Sequence, residues 1–136
     1  MTKARSESMT PVLAPFPWTE FKLARKPSRA EIIAEINARV NAGIRPSRGK
    51  PGVNDPWLLW PPVGWCHDYA VTKREELMLR GIASQLCECI APDNEHHMVL
   101  LVDGVALDNL TSDIAPMRYP VVRVQSMDNP DLWQAP

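Results

Sequence analysis

A thiol, an imidazole and a carboxylate occur in that order along this chain, at Cys66, His97 and Asp108. Cys66 heads the run Gly64-Trp65-Cys66-His67-Asp68-Tyr69-Ala70, where a Pro/Gly-rich loop gives way to a helical pattern. A thiol at a helix N-terminus faces unpaired backbone N–H groups and the positive end of the helix dipole, and both favour thiolate over thiol. A cysteine, a histidine and an acid on separate elements are the raw material of a thiol nucleophile with an oriented base. If the three converge, the chain is a cysteine hydrolase or an acyltransferase.

Local pattern narrows the choice of histidine. Asp103-Gly104 stands between two apolar runs, His96 to Val102 and Val105 to Leu110, and Asp-Gly in that setting predicts a hairpin with a type I′ turn. With those two residues as the turn, Val102 pairs with Val105, Leu101 with Ala106, Leu100 with Leu107, and Val99 with Asp108. Directly opposed residues share a face and alternate residues along a strand project together. His97, Val99 and Asp108 then lie on one side, with His97 and Asp108 as diagonal neighbours, while His96 and Asn109 lie on the other. The register therefore selects His97 as base and Asp108 as its orienter; a slip of one residue would reverse the choice.

Other clusters invite other chemistry. Cys66, His67, Cys87, Cys89, His96 and His97 are all potential metal ligands, yet none forms a C-x₂-C or H-x₃-H spacing, so zinc is the weaker reading. Cys87 and Cys89, alternating on a strand, read as small buried hydrophobes. An odd count of three cysteines, two of them only two positions apart, gives no disulfide framework.

The elements that must position these residues are legible in outline. Residues 1–27 read as a polar tail followed by a proline-rich strap at 11–18, with Phe16 and Trp18 buried. Residues 28–136 read as a single domain. Ser28-Arg29-Ala30-Glu31 fits a capping box, Ile32, Ile33, Ile36 and Val40 follow at helical spacing, and Gly43 suits the left-handed position after the helix. Residues 44–64, rich in Pro and Gly, read as a long loop with Trp57, Leu58, Leu59 and Trp60 as apolar anchors, forming a wall of the cleft at Cys66. A second helix is expected over His67 to Arg80, its Lys73, Arg74, Glu75 and Glu76 facing solvent and Gly81 ending it. Strands follow at 85–90, 96–102, 105–110 and 119–125, and the tail from Asp128 reads as irregular with Trp133 as an anchor.

Bulk properties exclude several classes. At 136 residues with a formal net charge of −1, nothing argues for nucleic-acid or membrane binding. Residues 1–50 carry ten basic and four acidic side chains and residues 51–136 five and twelve, which reads as two halves packing with opposite fields. No apolar leader follows the polar first ten residues, so the chain as written reads as cytoplasmic, or as trimmed of an export signal.

Taken together, the motifs resemble the bacterial transglutaminase-like cysteine peptidases. The resemblance rests on Val40-Asn41, Asp55-Pro56-Trp57, Trp65-Cys66-His67-Asp68-Tyr69-Ala70, Lys73, His97-Met98-Val99-Leu100-Leu101-Val102, Leu107-Asp108-Asn109-Leu110 and Arg123-Val124-Gln125-Ser126, in the family's order. It implies an α+β fold, the papain-like transglutaminase core, with a nucleophile helix packed on a small antiparallel sheet. It also implies a peptidase or amidase working through Cys66, His97, Asp108 and a thioester acyl-enzyme, on a peptide or protein substrate. A transglutaminase-type acyltransferase and a catalytically degenerate binding fold are the alternatives. The Cys66 N–H is the expected first oxyanion donor, and the Trp57 or Trp60 indole a second. Calcium serves the branch of the family that cleaves adhesins in the periplasm, through acids flanking the cysteine. Here Trp65 and His67 stand at those positions, so the sequence leads to the expectation of no cofactor and no calcium.

Overall fold

The computed structural model describes residues 25–49, 51–52 and 55–136. The expected tail and strap, with Phe16 and Trp18, lie outside the described residues. Helix α1 (Arg29–Gly43) opens as its sequence predicts, with the Ser28 side chain accepting from the Glu31 N–H and the Glu31 carboxylate accepting from the Ser28 N–H. Helix α2 (Cys66–Met78) follows, then strands β3 (Gln85–Ile90), β4 (His96–Val102), β5 (Val105–Leu107), β6 (Val121–Gln125) and β7 (Trp133–Gln134). These five form an antiparallel sheet in the order β5-β4-β3-β6-β7. Two short strands, β1 (Arg45–Pro46) and β2 (Val63–Gly64), pair in parallel at the base of the 44–64 segment, giving a fixed neck to what reads in sequence as an open loop. Among the described residues no helix is long and apolar enough to cross a membrane.

The hairpin has the expected register: Val102 opposite Val105, Leu101 opposite Ala106 and Leu100 opposite Leu107. Asp103 and Gly104 both have positive φ, +51° and +81°, as a type I′ turn requires. The ladder ends at Leu107, so Asp108 lies one residue beyond the strand rather than within it. On one face of the sheet Ile33, Ile36 and Val40 of α1 and Tyr69, Ala70 and Leu77 of α2 pack with Leu86, Met98, Leu100 and Leu107. A smaller apolar group joins Cys87, Cys89, Val99 and Ala106, flanked by Met117, Tyr119, Val121 and Val124. The tail after Asp128 is not wholly irregular, because Trp133 and Gln134 extend the sheet beside Val124 and Gln125.

Three expectations are corrected by packing. Lys73 is fully buried rather than solvent-facing, whereas Met78 is exposed. The first half of α2 is enclosed on its outer side as well, because the Leu58 N–H donates to Asp68 and the Trp60 N–H to Thr72, laying the 57–64 segment over it. Trp57, Leu58, Leu59 and Trp60 all remain substantially exposed, and of these anchors Leu58 and Leu59 are held by the main chain rather than by their side chains. Gly43 is the last residue of α1, not a left-handed residue beyond it, and its role is space: a Cβ there would sit 2.7 Å from Trp60 Cζ3.

Candidate active site

Cys66 is the first residue of α2, half-buried at the mouth of the cleft. At that position its own N–H has no partner within the helix. The turn is stabilised by Asp68, whose Oδ2 accepts from the Trp65 N–H at 2.9 Å while Oδ1 accepts from the Leu58 N–H at 2.8 Å. Gly64 makes this close approach possible, since a Cβ on it would meet the Asp68 side chain at 3.0 Å. One carboxylate thus fastens both the turn that carries Cys66 and the cleft wall.

His97, near the start of β4, is buried, and its Nε2 lies 2.7 Å from Asp108 Oδ1. Cys66 lies close enough for its side chain to act on the imidazole, and both residues border the same two cavities. With Nε2 turned to the carboxylate, Nδ1 is the ring nitrogen left for the thiol. Burial pulls the His97 pKa down, but the hydrogen bond to Asp108, the nearby Cys66 side chain and the charges of both outweigh it and raise it to about 9. Asp108 is itself enclosed: burial works against its charge, while His97, the Leu110 N–H at 3.0 Å and the Tyr119 hydroxyl at 2.8 Å hold its pKa below the usual carboxylate value. The structure places His97 in a hydrogen bond to Asp108, with Cys66 beside His97 at the same cavities.

Tyr119 escapes sequence reasoning. Its hydroxyl donates to Asp108 Oδ2, and its ring stands edge-on to His97 with centroids 6.0 Å apart. In the sequence it reads only as the first residue of a last strand, and the one signal that could mark it is the polar end of an aromatic ring just before Pro120. Lys73, read in the sequence as solvent-facing, lies in the interior instead. Its ammonium lies 6.0 Å from the Tyr69 ring centroid; burial lowers its pKa to about 7, against the pull of the Asp108 charge.

The two indoles proposed for the oxyanion differ. Trp57 stacks on His67, with centroids 5.2 Å apart and planes at 19°, and lines a cavity of about 210 Å³ that also contains Cys66 and His97. Trp60 is committed elsewhere: its Nε1–H donates to Glu76 Oε2 at 3.1 Å. That bond, the contact with Gly43 and a φ of +50° fix the Trp60 ring beside α1 and remove it as an oxyanion donor. On the other side of the nucleophile, Cys66 and His97 border a second cavity of about 660 Å³ with Pro46, Gly64, Asp93 and Asn109.

The remaining potential metal ligands are dispersed, and among the described residues no three His, Cys, Asp or Glu side chains gather as a metal site. Burial pushes the Cys87 thiol up to about 11 and the Cys89 thiol up to about 12. His96, largely exposed, meets Glu88 Oε2 through Nδ1 at 2.5 Å. Burial lowers the His67 pKa, opposed by the charges of Asp68 and Asp55.

Residues 16–135 match the profile of the bacterial transglutaminase-like cysteine proteinases. No curated protein sequence matches this chain significantly. Among solved structures, calcium-bound LapG of Legionella pneumophila superposes with a TM-score of 0.65 at 19% identity, covering 85% of this chain and 72% of that one. LapG of the same organism matches with a TM-score of 0.62 at 20% identity over 78% and 69% of the two chains. Its EGTA-treated form matches with a TM-score of 0.61 at 21% identity over 78% and 67%. The expectation of no calcium is corrected by these likenesses, since LapG, a protein of the same fold, is known in a calcium-bound and an EGTA-treated form. Fold and family profile agree, and the chain belongs to the bacterial transglutaminase-like cysteine proteinase family as a cysteine peptidase of peptide or protein substrates.

Proposed function

We propose that this peptidase works through a Cys66–His97–Asp108 triad and a thioester acyl-enzyme, with Tyr119 as a second partner of Asp108. The single observation that supports the reading is the His97–Asp108 hydrogen bond of 2.7 Å, with Cys66 beside His97 on the wall of the same cavities. His97, charged up to about pH 9, is the partner a thiolate needs and the acid a leaving amine needs. The Cys66 sulfur attacks the scissile carbonyl, its proton residing on His97. The tetrahedral oxyanion forms at the Cys66 N–H, with the Trp57 indole as second donor. Collapse breaks the C–N bond as His97 passes its proton to the departing amine. Water, deprotonated by His97, then attacks the thioester, releasing a carboxylate and restoring Cys66. Asp108 keeps Nε2 protonated throughout and stays ionised.

Calcium enters the reading of this chain from calcium-bound LapG. The acids whose charges reach His67 are Asp68 and Asp55. Asp68 already accepts two backbone N–H groups and Asp55 accepts the Gly52 N–H, while Trp65 and His67 supply no oxygen. These side chains do not by themselves make the shell of about six to eight oxygens that calcium takes, so loop carbonyls would complete it. No step above runs through the ion, and melting curves in EGTA and after calcium is restored read its contribution.

Alkylation tests the triad. Cys66 is expected to react with iodoacetamide near neutral pH much faster than a free thiol, with Cys87 and Cys89 silent, and His97→Ala is expected to slow it by about tenfold or more. Reaction no faster than glutathione would mean that Cys66 is not an activated nucleophile.

A further inference from the structure

The cavity of about 210 Å³ beside Cys66 has a charged wall that the triad does not use. Glu88 on β3 stands directly opposite Met98 on β4 and Arg123 on β6, so the three side chains form a row on one face of the sheet. The β3–β6 register shifts immediately after Glu88, the kind of irregularity that re-aims a side chain at a cleft. Arg123 is held twice: Nε donates to Glu88 Oε1 at 2.6 Å, and the guanidinium carbon lies 4.3 Å from the Trp133 ring centroid. Glu88 is held in turn by His96 at its other oxygen. Both restraints on Arg123 act through Nε and the plane of the group. They leave its paired terminal amino groups as the fork suited to a carboxylate.

Exposure decides which charge the cavity offers. The Glu88 side chain is 18% exposed and that of Arg123 47%, so the anion lies behind and the cation in front. Trp57 and Met98 add apolar surface alongside. The ligand that fits has a short apolar stem ending in a carboxylate. We propose that Arg123, positioned by Glu88 and Trp133, is a specificity-determining residue that binds a substrate carboxylate next to the scissile bond. The inference rests on Cys66 being the nucleophile. The carboxylate is supplied by an aspartate or glutamate side chain or by a chain's C-terminus, and the two are separable.

Four probes test it: N-bromoacetyl-aspartate α-amide, its isostere N-bromoacetyl-asparagine α-amide, N-bromoacetylglycine and N-bromoacetylglycine amide. Each alkylates Cys66 by forming a C–S bond and releasing bromide, and intact mass gives the rate. In the wild type the acid of at least one pair is expected to react about tenfold faster than its amide, the size of one charge-assisted contact. The aspartate pair reports a side-chain carboxylate and the glycine pair a chain terminus. In Arg123→Gln the ratio is expected to fall towards one. In Arg123→Lys, which keeps the charge but not the fork, it is expected to fall at least by half. The two substitutions sit at a half-exposed position, and the lysine variant carries the test if the glutamine variant does not fold. Equal rates for acid and amide in the wild type, or an acid preference unchanged in either variant, would overturn the proposal while leaving the nucleophile intact. Failure of every probe to outpace glutathione would instead overturn the reading of Cys66.

Discussion

Replacing Lys73 with methionine is expected to stabilise this protein, in a way that depends on pH. Lys73 has no exposed surface, and burial lowers its pKa from 10.5 to about 7. At about 1.4 kcal/mol per pH unit, a lysine held that far from its ordinary value costs about 5 kcal/mol of folding free energy wherever it is charged in both states. This is an upper bound, because local relaxation absorbs part of it. Below pH 7 the penalty is complete. Between about 7 and 10.5 the unfolded chain keeps a proton that the folded chain has lost, so stability rises with pH. His97 acts in the opposite sense. Its folded pKa is raised from 6.5 to about 9, so its contribution, about 3 kcal/mol, is whole below pH 6.5 and lost as pH climbs through 9. The two slopes offset each other between about pH 7 and 9, and the wild type should be nearly flat there. Lys73→Met removes one slope. Its advantage over the wild type is expected to shrink from about 5 kcal/mol at pH 6.5 to about 2 kcal/mol at pH 9, while its own stability declines by about 3 kcal/mol. The Cys87 and Cys89 thiols, pushed up to about 11 and 12 by burial, affect stability only above pH 9 and cancel in the difference. Urea melts followed by far-UV circular dichroism at half-unit intervals measure all of this. A variant less stable than the wild type at pH 6.5, or a gap that does not change with pH, would refute the reasoning.

Three further outcomes are expected. Tyr119→Phe removes one donor from an ionised carboxylate, so kcat/KM on a peptide substrate should fall about tenfold through kcat with KM unchanged; a wild-type kcat would remove Tyr119 from the machinery. Above about pH 9, where His97 gives up its proton, kcat/KM should fall about tenfold per pH unit, and an alkaline limb near pH 7 would contradict the raised value. Gly43→Ala should displace the Trp60 ring from α1 and cost about 1–3 kcal/mol in melts despite alanine's better helix propensity, and a stabilised variant would show that the ring moves aside freely.

Local rules account for what was legible in the sequence. The capping box at Ser28, the apolar stripe of α1 and the Asp-Gly hairpin all follow from neighbours within a few residues. The hairpin register alone selected His97 over His96 and paired it with Asp108, as the 2.7 Å contact has it. Lys73 was misread because helical spacing places it beside Arg74, Glu75 and Glu76, and nothing local reveals that it packs beside the Tyr69 ring within reach of the Asp108 charge, 35 residues later in the chain. Trp60 was misread for a related reason: its indole had a nearer acceptor in Glu76, reached only once the helix is formed. Tyr119 depends on the order of strands in the sheet, which no local pattern specifies.

The wall over α2 is fastened by its main chain: Leu58 and Trp60 donate backbone N–H groups to Asp68 and Thr72, and Trp65 donates its own to Asp68. A fastening of that kind is blind to what most of the wall's side chains are. Leu58 and Leu59 hang outward from a frame that does not ask for leucine, and Trp57 meets the cleft from the same frame. Leu58 and Leu59 can therefore change without loosening the nucleophile turn, whereas Trp57, the proposed second oxyanion donor, is tied to the cleft by its ring. Asp68 is the opposite case, a single side chain on which the cleft wall and the nucleophile turn both depend.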